Sequence, residues 1–207
     1  GLMVAVAAVV VVLTISALGR LQSTENWLLR LRFDLRGDRP PGSQVILLTL
    51  EEAGPPTEGG GLFPWSRTRL AELVSRLDRA DASVIGLDLP ALAGDVIPAE
   101  TPVGDEVLAS AMRRHGRVVL PMVIRDRGAI DNRAALQAVE SFAIGRGTLS
   151  RPVDLRPGGL AVPAPELVAA AAGVGSTNIY LDLDGAAREA PLAVSVDETI
   201  LPAFWLE

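Results

Sequence analysis

The side chains with the most chemical potential in this chain are acidic and sit where short apolar runs end. Glu51 and Glu52 follow VILLTL, and Asp88 lies inside ASVIGLDLP. Two carboxylates about 5 to 9 Å apart can act as acid and base, or acid and nucleophile, in glycoside hydrolysis. Arg125, closing RVVLPMVI, adds a guanidinium, while Trp65 and Arg67 add an aromatic wall and a second cation. In an open parallel sheet a ligand binds beyond the carboxyl ends of the strands, where these six residues are expected to gather. The same residues have structural uses. Asp88 and Glu51 can cap backbone or pair with Arg67, and Trp65 can pack on the core, because buried polar groups usually have a partner. No residue is assigned a catalytic role.

Other chemistries are thin. All nineteen basic residues are Arg, which removes Schiff-base lysines and the Walker phosphate loop. There is no Cys, hence no disulfide, thiol nucleophile or thiolate metal site. The one histidine, His115, leaves little room for a zinc centre or a Ser-His-Asp triad. In Arg113-Arg114-His115-Gly116 it suits the last turn of a helix, with Gly116 as the left-handed cap. Gly59-Gly60-Gly61 lacks the Gly-Lys-Ser/Thr of a phosphate cradle. Asp182-x-Asp184-Gly185 starts like a calcium loop, but an EF-hand places its Gly later and would need its closing Glu at Ala193. A hairpin turn at Asp184-Gly185 is the better reading, with Asn178 and Arg188 facing one another across it. No metal or cofactor is expected, and a net charge of −6 argues against nucleic acid.

The elements that must position these residues follow from periodicity. Residues 1–19 are apolar and uncharged, long enough to cross a bilayer as a helix. Thr14 and Ser16 are tolerated there because a hydroxyl can bond back to the helix. Residues 21–36 continue as a helix whose apolar face holds Leu21, Trp27, Leu28, Leu31 and Leu35. Strands are expected at residues 45–50, 83–89 and 117–124. Helices are expected at residues 67–80, with Ser66 as N-cap, and 104–115. Alternating strands and helices with buried-type strands imply parallel pairing through right-handed crossovers. Residues 125–163 read as irregular chain apart from a helix near residues 133–140. A helix opens at Pro165, two strands (174–181 and 187–196) flank Asp184-Gly185, and another helix is expected to open at Pro202. The fold class is thus α/β: a mixed, largely parallel sheet with flanking helices and a C-terminal hairpin, after one transmembrane helix.

In that order these pieces resemble the type-2 CHASE domain of bacterial signalling receptors. The resemblance runs through LRLRFDLR (residues 29–36), VILLTLEE (45–52), Phe63-Pro64-Trp65-Ser66-Arg67, ASVIGLDLP (82–90) and RVVLPMVI (117–124). It continues through PAPELVAAAAG (163–173), GSTNIYLDLDGAAREAPL (175–192) and Leu201-Pro202-Ala203. No stretch in residues 125–163 matches. The resemblance implies a sensory module outside the cytoplasmic membrane, residues 20–207, behind a span at 1–19. It also implies a cytoplasmic nucleotide cyclase, diguanylate cyclase or kinase downstream, and the chain itself is then no enzyme. Expected partners are the membrane, a second copy through the membrane-proximal helices, and a small-molecule or protein stimulus. Arg20, Arg30, Arg32 and Arg36 argue for the opposite side, since positive residues mark the cytoplasmic flank. The resemblance takes precedence, because that rule compares both flanks of a span. The alternatives are a membrane-anchored hydrolase using Glu51, Glu52 or Asp88, and a structural dimerisation module that binds nothing.

Overall fold

A computed structural model describes residues 1–17, 22–38, 42–50, 66–89, 92, 102–125, 132–147, 159–182, 185–188 and 190–206. They fall into two units, residues 1–51 and 52–207. In the first, helix α1 (Leu2–Ala17) carries no charge and has no polar stripe. Thr14 Oγ1 donates back to the Val10 carbonyl at 2.7 Å, the bond that makes a hydroxyl tolerable in an apolar helix. Its 16 residues span about 24 Å, short of the roughly 30 Å of a hydrocarbon core. No described helix is long and apolar enough to cross a membrane. Helix α2 (Gln22–Arg36) exposes Trp27, Leu28, Leu31 and Leu35, and Gly37 (φ 68°) ends it. Residues 45–50, expected as a strand, pair with no other strand among the described residues. Val45, Ile46 and Leu47 are over 80% exposed. An apolar run supplies strand propensity, but a ladder also needs a neighbour.

The second unit is built around one central strand. Helix α3 (Arg67–Arg79) starts as expected, with Ser66 Oγ accepting from the Arg69 amide, and buries Leu70, Ala71 and Val74. Strand β1 (Ile85–Gly86) follows, then helix α4 (Pro102–His115), ended by Gly116 at φ 78°. Strand β2 (Val118–Arg125) is the axis of the sheet and is buried along nearly its whole length. It is flanked in parallel by β1 and by β5 (Gly173–Ser176), and antiparallel by β4 (Gly159–Ala161). Both parallel pairings match the expected architecture. Between β2 and β4 lie helix α5 (Asn132–Val139), a 3-10 turn (Glu140–Phe142) and strand β3 (Gly145–Arg146). The helix at Pro165 is one turn only, α6 (Pro165–Val168), because the alanines after it turn into β5.

The hairpin lies elsewhere than expected. Strands β6 (Ala193–Val196) and β7 (Thr199–Pro202) pair antiparallel, with β3 on the other edge of β7. Asp197 and Glu198, at φ 45° and 64°, occupy the two left-handed positions that a two-residue hairpin turn requires. Pro202 therefore ends a strand rather than opening a helix. Ala203 bridges Ser176 in parallel, which brings the end of the chain alongside β5. A Cβ on Gly175 would stand 2.5 Å from Phe204 backbone, and one on Gly86 would stand 3.0 Å from the Phe204 ring. The absence of a side chain at these two glycines leaves the space that Phe204 occupies.

Candidate functional site

The end of β1 is set by a proline. Backbone groups of Arg117 and Val119 face β1, accepting from the Ile85 and Leu87 amides at 3.0 Å each. The next amide on that edge would be that of Pro121, which has none to give. The Leu87 carbonyl instead accepts from Leu89 at 2.8 Å, an i to i+2 turn centred on Asp88. The seven-residue strand expected at 83–89 is thereby cut to two paired residues. Asp88 is exposed at this turn, yet partial burial of its carboxyl by the surrounding chain raises its pKa above the ordinary value.

The other edge of β2 ends differently. Thr177 donates to the Met122 carbonyl at 3.1 Å, and β5 then leaves the sheet. Asn178 completes the ladder with its side chain: Oδ1 accepts from the Ile124 amide and Nδ2 donates to the Ile124 carbonyl, both at 2.8 Å. Ser176, wholly buried, donates its hydroxyl to the same Oδ1 at 3.1 Å. Because Ile124 spends its backbone on Asn178, β4 must take the opposite edge, beyond the end of β1. Asn178 thus does not face Arg188. Arg188 donates to Asp182 at 2.7 Å, and the Gly185 amide (φ 78°) bonds the Asp182 carbonyl at 2.9 Å. Among the described residues here no strand ladder forms, and the Asp182 amide donates to the Ala186 carbonyl at 2.9 Å.

Of the expected strand-end cluster, Glu51, Glu52 and Trp65 lie outside the described residues, as does Asp184 of the hairpin motif. Asp88 and Arg125 do reach the carboxyl end of the sheet. In the β1–β2 register Asp88 is level with Pro121, so Arg125 stands four residues, roughly 13 Å, further along. β4 runs along the edge of β2 between those two levels. Arg67 donates to Asp105 at 2.9 Å, with side chains only 11% and 15% exposed. That pair locks the first turns of α3 and α4 together, and Asp105 also favours the positive end of the α4 dipole. At the far end of the same helices His115 Nδ1 meets Asp78 at 3.0 Å. His115 is therefore a helix-end tie, in keeping with its expected structural role.

Among the described residues Asp88 has no second carboxylate recorded beside it as an acid–base partner. Among the described residues no three His, Cys, Asp or Glu side chains cluster to hold a metal ion. Among the described residues an open groove of about 1000 Å³ lies instead on the outer side of α3 and α4. Sequence reasoning missed it, together with the roles of Pro121 and Gly175. A proline inside a buried strand run was the one visible signal, since it predicts a break in one edge of the ladder.

The chain belongs to the CHASE2 domain family, which matches residues 4–207. That family comprises the extracytoplasmic sensory domains of signalling receptors. No curated protein and no solved structure matches the chain.

Proposed function

We propose that the chain is the input module of a bacterial transmembrane receptor. The apolar run at residues 1–19 anchors it in the cytoplasmic membrane, and residues 20–207 work on the periplasmic side. It relays a small-molecule or protein stimulus to a cytoplasmic nucleotide cyclase, diguanylate cyclase or kinase. The observation that carries this reading is the reach of the family match, which begins at residue 4, inside the apolar run. Helix α1 is thus part of the family pattern. Helix α2, with Trp27, Leu28, Leu31 and Leu35 exposed, offers an apolar face for a second protomer beside the membrane. A stimulus shifts such a pair only if it binds two arrangements with different affinity.

The 207 residues contain no cysteine, so single introduced thiols report cleanly. Cysteines at Leu28, Leu31 and Leu35 of the membrane-embedded receptor should crosslink between protomers, strongest on one helical face. A membrane-impermeant maleimide added to intact cells should block that crosslinking. Crosslinks that survive the reagent would put residues 20–207 on the cytoplasmic side, and their absence at all three positions would end the α2 pairing.

A further inference from the structure

The groove outside α3 and α4 has a charge order along its length. The two helices run side by side in the same direction, tied at their starts by Arg67–Asp105 and at their ends by Asp78–His115. In its first half the groove is lined by Glu72 and by Glu106, which accepts from Arg113 at 2.7 Å, and in its second half by Arg76, Arg79 and Arg114. Among the described residues Glu72, Arg76 and Arg79 form no ion pair. Between the two halves the lining includes the small side chains of Ala71, Ser75 and Ser110. The Ser75 hydroxyl is turned inward, donating to the Ala71 carbonyl at 2.8 Å and accepting from Arg114 at 3.3 Å. Val103 and Val107, 71% and 41% exposed, line the acidic half.

We infer that this groove is the docking face for a second copy of the chain, related by a two-fold axis lying across both helices. Such an axis sets α3 antiparallel to the partner's α3, and α4 antiparallel to the partner's α4. The acidic half of each copy then meets the basic half of the other, a self-complementary contact of the kind two-fold dimers use. A parallel arrangement would oppose like charges. The serines and alanine at the centre permit close approach of the helix backbones, as ridge-into-groove packing requires. The exposed valines meet the aliphatic stems of the partner's arginines, which cover apolar surface well while their charged ends stay wet. This contact belongs to the body of the domain and stands apart from any pairing of α2.

The test uses the full-length receptor in its membrane with one cysteine per chain. Ser110→Cys, near the middle of the groove, should form a disulfide-linked dimer under mild oxidation. Ser141→Cys, exposed on the turn after α5, should not. In the Ser110→Cys background, Glu72→Arg or Arg79→Glu alone should each lower the dimer yield about fivefold, and the two together should restore it. Raising ionic strength should lower the yield in the parent and in the restored double variant alike. Circular dichroism and thermal melting establish that each variant is folded. Folded protein that fails to crosslink at position 110, or crosslinks equally at 141, overturns the inference. So do single charge reversals without effect, a double reversal that does not recover, and capture of a different protein at position 110. Crosslinking confined to the α2 positions also overturns it, while leaving the sensory reading intact.

Discussion

Leu28, Leu31 and Leu35 of α2 and Leu108, Leu120 and Leu167 of the body are chemically identical and live in opposite surroundings. The first three are between 39% and 79% exposed, and the second three are fully buried. The body closes a core between its sheet and its helices, with Leu70, Met112 and Met122 among the residues sealed inside. The described part of residues 1–51 builds two helices and leaves large apolar side chains such as Val6, Val10, Trp27 and Leu35 exposed. The difference teaches where each region finds its stability. The body holds its fold through burial it makes itself, whereas α1 and α2 present large apolar side chains at their surface.

The strongest test of that contrast removes the same side chain on each side of it. Leu120→Ala should cost about 3 kcal/mol of unfolding free energy, because a closed core relaxes only partly around the cavity. Leu31→Ala should change it by no more than about 0.5 kcal/mol. Urea unfolding followed by circular dichroism reads both, and equal losses would make α2 part of the core of the body.

Asn178→Ala asks how far the body depends on one polar side chain. The substitution strands the amide and carbonyl of Ile124, a residue 4% exposed, and should cost roughly 2 kcal/mol. The expected signature in hydrogen exchange is loss of protection at Ile124, with β1 residues unaffected. Unchanged protection at Ile124 would mean that another group completes this edge.

The smallest effect belongs to Asp88. Its folded-state pKa is raised by desolvation, so the folded chain binds a proton more readily than the unfolded chain does. Stability from this group is therefore greatest at low pH and declines as pH rises from the ordinary Asp range through the raised value. Asp88→Asn should remove that decline and stabilise the domain near neutral pH by no more than about 0.5 kcal/mol, since solvent screens an exposed carboxyl. Parallel pH profiles of melting temperature for parent and variant would show that the shift is without thermodynamic weight.

Much of the body was legible residue by residue. Ser66 announced α3, the spacing of Leu70 and Val74 gave its buried face, and Gly116 marked the end of α4. The continuous apolar run expected as a strand at residues 117–124 is the buried strand Val118–Arg125. What misled was turn chemistry. Asp184-Gly185 carries the stronger hairpin signature, yet the paired strands meet at Asp197-Glu198, where neither residue is glycine. Local preference for the left-handed region was overridden there by the register of β6 and β7 and by the pairing of β3 on the far edge. The strand at residues 45–50 was legible as an apolar run, but the described ladder does not contain it.

The candidate site divides the same way. The sequence placed Asp88 and Arg125 at strand ends, but their separation along the sheet depends on a register that only pairing reveals. The Asn178–Ile124 bridge joins residues 54 apart in the chain, and no local pattern announces it.

By itself the sequence determined the α/β class, an apolar, charge-free N-terminal helix, the principal helices of the body, and the absence of thiol, lysine and histidine-cluster chemistry. Composition and periodicity are local properties, and they survive unfolding. Only the tertiary structure decided where β1 stops, which glycines carry Phe204, which hairpin forms, and that acidic and basic side chains order themselves along one groove. Each of these depends on two or more distant segments meeting in a particular register, and that register is chosen by burial of the whole domain at once.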